Sequence, residues 1–206
     1  MNEYEQFRKP VGGSGRRMLE QMNEHHRDLA EWALSTLPET DPKKILDIGC
    51  GGGMLLSLLA EKYRSKLYGI DISEESVKMT SEFNADLVSS GRLTVSVDSV
   101  SDIPFENGTF DIVTAFETYF FWPDLANDLL EAGRVVAENG YILVVSEVYP
   151  HPDFDDRNGK LISAYGMNII ENRSLAEMIE NAGFVVETIE VEKENWVAFL
   201  GRKITV

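Results

Sequence analysis

The sequence is poor in cysteine, in histidine and in positive charge, and each shortage excludes something. A single cysteine, Cys50, in 206 residues rules out an intrachain disulfide and any zinc cluster built on several thiolates. Three histidines, His25, His26 and His151, leave little for a metal centre, and none is expected. Nineteen Lys and Arg stand against 35 Asp and Glu, a formal charge of −16. Nucleic-acid backbones demand clustered cations, so no nucleic-acid partner is expected, and anionic membrane surfaces are disfavoured for the same reason. No apolar run approaches the roughly 18 residues of a membrane span. The acidic start, Met1 to Glu5, lacks the apolar core of a signal peptide. These absences lead us to expect a soluble, cytoplasmic protein, in which the sequons at Asn107 and Asn172 are chance matches.

What is present suffices for one domain of generous size. Apolar residues make up 43% of the chain, and a chain this long buries roughly 70% of its unfolded surface without covalent staples. The pattern predicts a helix from Arg16 to Leu37, stopped by Pro38, after an irregular start containing Pro10 and Gly12-Gly13-Ser14-Gly15. Strands are predicted at 45–48, 67–72, 93–97, 110–116, 141–148, 184–191 and 196–202. Helices are predicted at 54–63, 74–88, 124–137 and 175–182. The alternation implies a parallel sheet with helices on both faces. The short connection from Glu192 to Asn195 makes the last two strands an antiparallel pair. In such sheets ligands bind beyond the carboxyl ends of the strands.

The strongest local signal is Asp47-Ile48-Gly49-Cys50-Gly51-Gly52-Gly53, between a strand and a helix. Glycines there let the backbone turn sharply beside a ligand, and the following helix offers unpaired N–H groups. The dinucleotide pattern G-x-G-x-x-G fails, because Met54 or Leu56 takes its third glycine position. The pattern D-x-G-x-G-x-G is filled by Asp47, Gly49, Gly51 and Gly53. This resembles motif I of the class I S-adenosylmethionine (SAM)-dependent methyltransferases.

Further stretches share that resemblance. Asp71 closes the second strand, 24 residues after Asp47. Asp98-Ser99, the stretch Ile103-Pro104-Phe105, and Phe110-Asp111-Ile112-Val113 are similar to the family's third-strand acid, its Leu-Pro-Phe-like stretch and its fourth strand. The likeness covers roughly residues 43 to 202. It implies a Rossmann-like, seven-stranded, mostly parallel sheet with an antiparallel C-terminal strand. It also implies SAM as cofactor. By the same resemblance Asp71 would accept from the ribose hydroxyls, Asp98 from the adenine amino group, and the Ser99 amide would serve adenine N1. Cys50, Ile72 and Phe116 would complete the cofactor site. The bland alternative for Asp71, Asp98 and Asp102 is a solvated carboxylate.

Departures narrow the substrate. Phe116-Glu117-Thr118-Tyr119 stands where many adenine-N6 and glutamine-N methyltransferases carry Asn/Asp-Pro-Pro-Tyr/Phe. Ser146-Glu147 supplies a single acid where catechol-type enzymes need several for magnesium. The acidic run from Asp153 to Gly159 has Arg157 at a ligand position and its glycine one residue late for a calcium loop.

Three segments are candidate acceptor walls. In the N-terminal helix, His26 lies near the centre of an apolar face that includes Leu19, Met22 and Leu29, with His25 about 80° away. A buried histidine needs a partner. It is either structural or a base facing the acceptor, with the helix as a lid. Tyr119-Phe120-Phe121-Trp122 cannot all pack in one core, and Tyr119 is a candidate orienting hydroxyl. Tyr149 to Asn172 is long for a connection, and forms either a substrate cap or a surface insertion.

The resulting expectation is a lid at residues 1–42, a SAM-binding domain at 43–206, and methyl transfer to a small molecule by in-line displacement. His26 and Tyr119 are its candidate catalytic residues. A protein acceptor and a catalytically silent SAM-binding protein are the alternatives. Nothing in the sequence fixes the oligomeric state.

Overall fold

The apolar run at 45–48 forms the centre of β1 (Lys44–Ile48), in a computed structural model that describes residues 3–191 and 193–204. Residues 1, 2, 205 and 206 and Glu192, which falls in the predicted final connection, lie outside the described residues. Strands alternate their side chains between faces, and β1 shows what that does here. Leu46 and Ile48 join one apolar cluster and Ile45 the other.

The sheet adds β2 (Lys66–Asp71), β3 (Leu93–Val97), β4 (Phe110–Phe116), β5 (Val136–Ser146), β6 (Phe184–Val191) and β7 (Trp196–Lys203). Its order is β3-β2-β1-β4-β5-β7-β6. β1 to β5 pair in parallel, and β7 runs antiparallel to both β5 and β6. The order therefore reverses between β1 and β4, and the crevice at such a switch point is where open α/β sheets bind ligands. One face is covered by α7 (Leu125–Val135) and α9 (Asn172–Asn181), the other by α3 (Arg27–Thr36) and α4 (Met54–Lys62). No helix among the described residues is long and apolar enough to cross a membrane.

The N-terminal region departs from the sequence reading. A short helix, α1 (Glu3–Arg8), occupies part of the supposedly irregular start. The single helix from Arg16 to Leu37 is two, α2 (Gly12–His25) and α3, broken at His26 with φ −91° and ψ 7°. No glycine or proline causes the break; packing does. Leu29, Ala30, Ala33 and Leu34 of α3 are buried against α4 and the sheet, whereas α2 crosses the carboxyl ends of the strands. The glycine stretch is the first turn of α2 rather than a hinge. Gly15 sits so close to Pro10 that a Cβ would come within 2.7 Å of its carbonyl carbon.

Two other differences are local. The 74–88 helix divides at Asn84 into α5 (Glu74–Phe83) and α6 (Ala85–Ser89). The Asn84 side chain turns back to donate to the Thr80 and Gly53 carbonyls at 3.1 and 3.0 Å, as asparagine does where it competes with helix bonding. The stretch from Tyr149 to Asn172 contains α8 (Asp155–Tyr165), which Gly166 ends at φ 60°, the left-handed conformation that favours glycine.

Candidate functional site

The turn after β1 is built on left-handed backbone. Gly49, Gly51 and Gly53 have φ of 74°, 53° and 83°, a region that costs other residues energy. Gly53 precedes α4, and a Cβ there would meet Asn84 and Thr80. The Gly49 and Cys50 amides donate to the Ile70 carbonyl at 2.8 and 3.1 Å. The Gly51 amide donates to Asp71 Oδ2 at 3.0 Å, and the Ser73 amide to Asp71 Oδ1 at 2.8 Å. Each carboxylate oxygen keeps lone-pair capacity for another donor. Burial pushes the Asp71 carboxyl above the usual range, and those two amides oppose the shift.

A cavity of ≈ 210 Å³ opens above this turn. Gly49, Gly51, Asp71, Ile72, Asp98, Ser99 and Phe116 all line it, so the structure gathers these sequence candidates from four different loops. Asp98 is held at the end of β3 by its amide, which donates to the Asp71 carbonyl at 3.1 Å. The N-terminal segment supplies the roof, with Phe7, Pro10, Leu19 and Met22. Polar contacts fasten that roof. Ser73 Oγ donates to the Pro10 carbonyl at 2.5 Å, Asn23 Nδ2 donates to the Gly52 carbonyl at 3.0 Å, and Arg16 pairs with Glu82 at 2.6 Å.

Asp47 and Cys50 lie beside a smaller hollow of ≈ 50 Å³ that shares Gly49, Gly51 and Phe116 with the first cavity. Asp47 accepts from Thr114 Oγ1 at 2.6 Å. Burial pushes its carboxyl up to about 7, against the pull of that hydrogen bond. Burial also pushes the Cys50 thiol well up, so it is a small neutral wall residue rather than a nucleophile. Gly53 lines none of these cavities, and its place is structural, at the start of α4.

A second cavity of ≈ 60 Å³ adjoins the first and shares Phe7, Met22, Glu117 and Phe121 with it. Its far wall comes from α8 and the turn after it, through Leu161, Tyr165 and Met167, so the 149–172 segment is part of the site. His26 lines it, with its side chain 11% exposed against 67% for His25. The helix break brings both imidazoles onto one carboxylate. His25 Nε2 lies 3.1 Å from Glu147 Oε2 and His26 Nε2 3.5 Å from Glu147 Oε1. The three groups have donor atoms within 4.8 Å of one another, a convergence that the sequence reading, which expected no metal site, did not foresee. Burial would raise the Glu147 carboxyl, but the contacts of His26 and His25 outweigh it and hold it below the ordinary range.

Sequence reasoning misplaced Tyr119. Its ring is buried in the core, 2% exposed, and it lines none of the three cavities. The 3₁₀ turn Tyr119–Phe121 points Phe121 to the cavities instead. Glu117 was missed as a site residue. It is a non-glycine residue at φ 53°, buried, and it lines all three cavities. Its Oε1 accepts from the Glu147 amide at 2.5 Å, and burial followed by the Glu147 charge drives its carboxyl well up. The one available signal was an acid directly after the fourth strand. Its backbone strain, a mark of functional positions, is invisible in sequence.

Residues 46–144 match the family model described as a methyltransferase domain. Ajmaline N-methyltransferase of Rauvolfia serpentina is 31% identical over 112 residues, 54% of this chain and 38% of that protein. The chloroplastic tocopherol O-methyltransferase of Arabidopsis thaliana is 34% identical over 104 residues, 50% of this chain and 30% of that one. The matched stretch thus spans well under half of these curated relatives. Among solved structures, geranyl diphosphate methyltransferase in complex with SAM superposes with TM-score 0.78 at 16% identity, covering 98% of this chain and 95% of that chain. A SAM-dependent methyltransferase from Aquifex aeolicus gives 0.74 at 19%, covering 92% and 98%. At such identities these two speak for the fold.

Proposed function

We propose, from the match of residues 46–144 to the methyltransferase-domain model, that the chain is a class I SAM-dependent methyltransferase that transfers a methyl group from SAM to a small-molecule acceptor. One observation carries the reading. A cavity bordered by the glycine turn, Asp71 and Asp98 meets a second, smaller cavity at Glu117. Two adjoining chambers suit a donor and an acceptor.

The residues present fit the cofactor. Asp71 retains acceptor capacity for a vicinal diol, and the positive-φ glycines give a cradle free of side chains. Gly49, Gly51, Asp71, Ile72, Asp98, Ser99 and Phe116 would hold it, with Asp47 and Cys50 behind them. When bound, SAM supplies a methyl carbon activated by a sulfonium. The protein's work is then to position the acceptor and exclude water, which the roof of α1 and α2 does. His26, paired with Glu147 and 6.0 Å from the Phe116 ring between centroids, is placed to take a proton from the acceptor. The acceptor space is a hollow of only ≈ 60 Å³, a size that favours a small molecule over a protein chain. A buried lone cysteine and an acidic composition suit the reducing cytoplasm, where we place the protein.

Calorimetry with S-adenosylhomocysteine, followed by transfer of labelled methyl from SAM to a broad acceptor panel, tests the reading. Binding and turnover are expected. Binding without turnover on any acceptor points to a silent SAM-binding protein, and absence of binding refutes the proposal.

A further inference from the structure

The second cavity has an unusual make-up. Aromatic rings of Phe7, Phe120, Phe121 and Tyr165 stand around it, and two carboxyl groups, those of Glu117 and Glu147, reach it. Among the described residues that line it there is no lysine or arginine. The nearby Arg157 guanidinium is turned to the Glu147 carbonyl at 3.1 Å and to Asn195 Oδ1 at 2.7 Å. Among the described lining residues His26 alone can carry positive charge, and it already faces Glu147. Ring faces attract cations, and carboxylates in a partly dry site attract them more strongly. Such a chamber repels a carboxylate or phosphate.

Resting on the methyltransferase reading, we propose that the acceptor is an amine, a small and largely apolar molecule whose nitrogen is bound by Glu117 and Glu147. Glu117 is the residue that fixes the position. The Glu147 amide holds its carboxyl, and it lines the donor cavity as well as this one. A nitrogen bonded to it therefore stands at the boundary between the two chambers. A left-handed glutamate buried at that boundary has a cost in strain and desolvation. A cationic guest repays it and a neutral alcohol does not. The chemistry balances. The bound ammonium gives a proton to the His26–Glu147 pair, and from there it passes to solvent. The neutral nitrogen's lone pair then forms the new N–C bond to the methyl group. The C–S bond breaks with its electrons remaining on sulfur, leaving a neutral thioether and a methylated ammonium.

The proposal is tested by titrating the protein, saturated with S-adenosylhomocysteine, with three probes of similar size: 2-phenylethylamine, 2-phenylethanol and 3-phenylpropanoate. The amine should bind at least tenfold more tightly than either other probe. Glu147→Gln should weaken the amine at least tenfold while changing alcohol binding and S-adenosylhomocysteine affinity less than twofold, which also reports that the variant is folded. Equal binding of amine and alcohol overturns the proposal, as does preference for the carboxylate or binding of none of the three. Failure of S-adenosylhomocysteine to bind in the first place would instead strike the methyltransferase reading.

Discussion

The amide of Gly51 donates to Oδ2 of Asp71 at 3.0 Å, so the carboxylate proposed for the ribose also anchors the glycine turn. The two functions are mechanically joined. Asp71→Ala removes both the acceptor for the ligand and the brace for the loop that holds it. Hydrogen bonds to a charged group contribute about 1.5–3 kcal/mol, and S-adenosylhomocysteine affinity should fall by at least that much. Calorimetry on the folded variant decides, and unchanged affinity would remove Asp71 from the site.

Two glycines of the same turn should respond differently to a methyl group. At Gly51 a Cβ meets its nearest neighbour, a Leu19 methyl, at 3.8 Å, so only the left-handed backbone resists. Gly51→Ala should cost about 1–2 kcal/mol of stability. At Gly49 the backbone is also left-handed, and the new Cβ would overlap the Thr118 side chain. Gly49→Ala should therefore be the more damaging, by urea denaturation. Gly51→Val, β-branched in the same region, should abolish S-adenosylhomocysteine binding while leaving most of the sheet. Equal stability of the two alanine variants would contradict the steric account.

Asp47 makes stability fall with pH over a definite window. Its folded pKa, about 7, lies above its unfolded value near 3.8. The folded state therefore holds the proton more tightly, and this contribution is complete below pH 3.8 and lost as pH rises through 7. Asp47→Asn keeps an oxygen for Thr114 Oγ1 and removes the titration. The variant should gain stability relative to the parent between pH 5 and pH 8, by several kcal/mol at the upper end. Parallel urea melts at the two pH values measure it. A constant difference would mean that Asp47 does not titrate in this range.

The parts of this molecule written in short-range pattern were legible in its sequence. Ile45 to Ile48, the glycine spacing and Asp71 each report on neighbours a few residues away. The seven strands followed from them, and so did several residues that border the first cavity. Long-range choices were hidden. His26 interrupts a helix without any breaker residue because α2 and α3 pack on different surfaces. Tyr119 and Phe121 are two residues apart on one 3₁₀ turn, and only the turn decides that Phe121 faces the cavities. Glu117 was read as the absence of another motif, because a positive φ on a glutamate leaves no trace in its neighbours.

The roof over the first cavity comes from α1 and α2 alone among the N-terminal helices. Residues 1–42 were expected to act together as a lid, but α3 is buried against α4 and β7, with Trp32 and Trp196 ring centroids 5.7 Å apart. Only α1 and α2 stand over the cavity. Their attachments include the Phe7 ring on Tyr165, with centroids 3.9 Å apart, and polar contacts of His25 with Glu147, Pro10 with Ser73, Asn23 with Gly52, and Arg16 with Glu82. The last is an exposed ion pair, of a kind that contributes little. Leu19 is buried against the turn. The roof lies over the glycine turn and Asp71 on the floor of the cavity, so we propose that α1 and α2 open about the break at His26, as lids that admit substrate do. Amides from residue 11 to residue 26 should then gain hydrogen-exchange protection when S-adenosylhomocysteine binds, while those of α3 stay as they were. His26→Ala should reduce methyl transfer more than cofactor affinity, because its partners, Glu147 and the second cavity, lie on the acceptor side. Exchange that ignores the ligand would leave the roof fixed. Protection spreading equally through α3 would restore the longer lid that the sequence suggested.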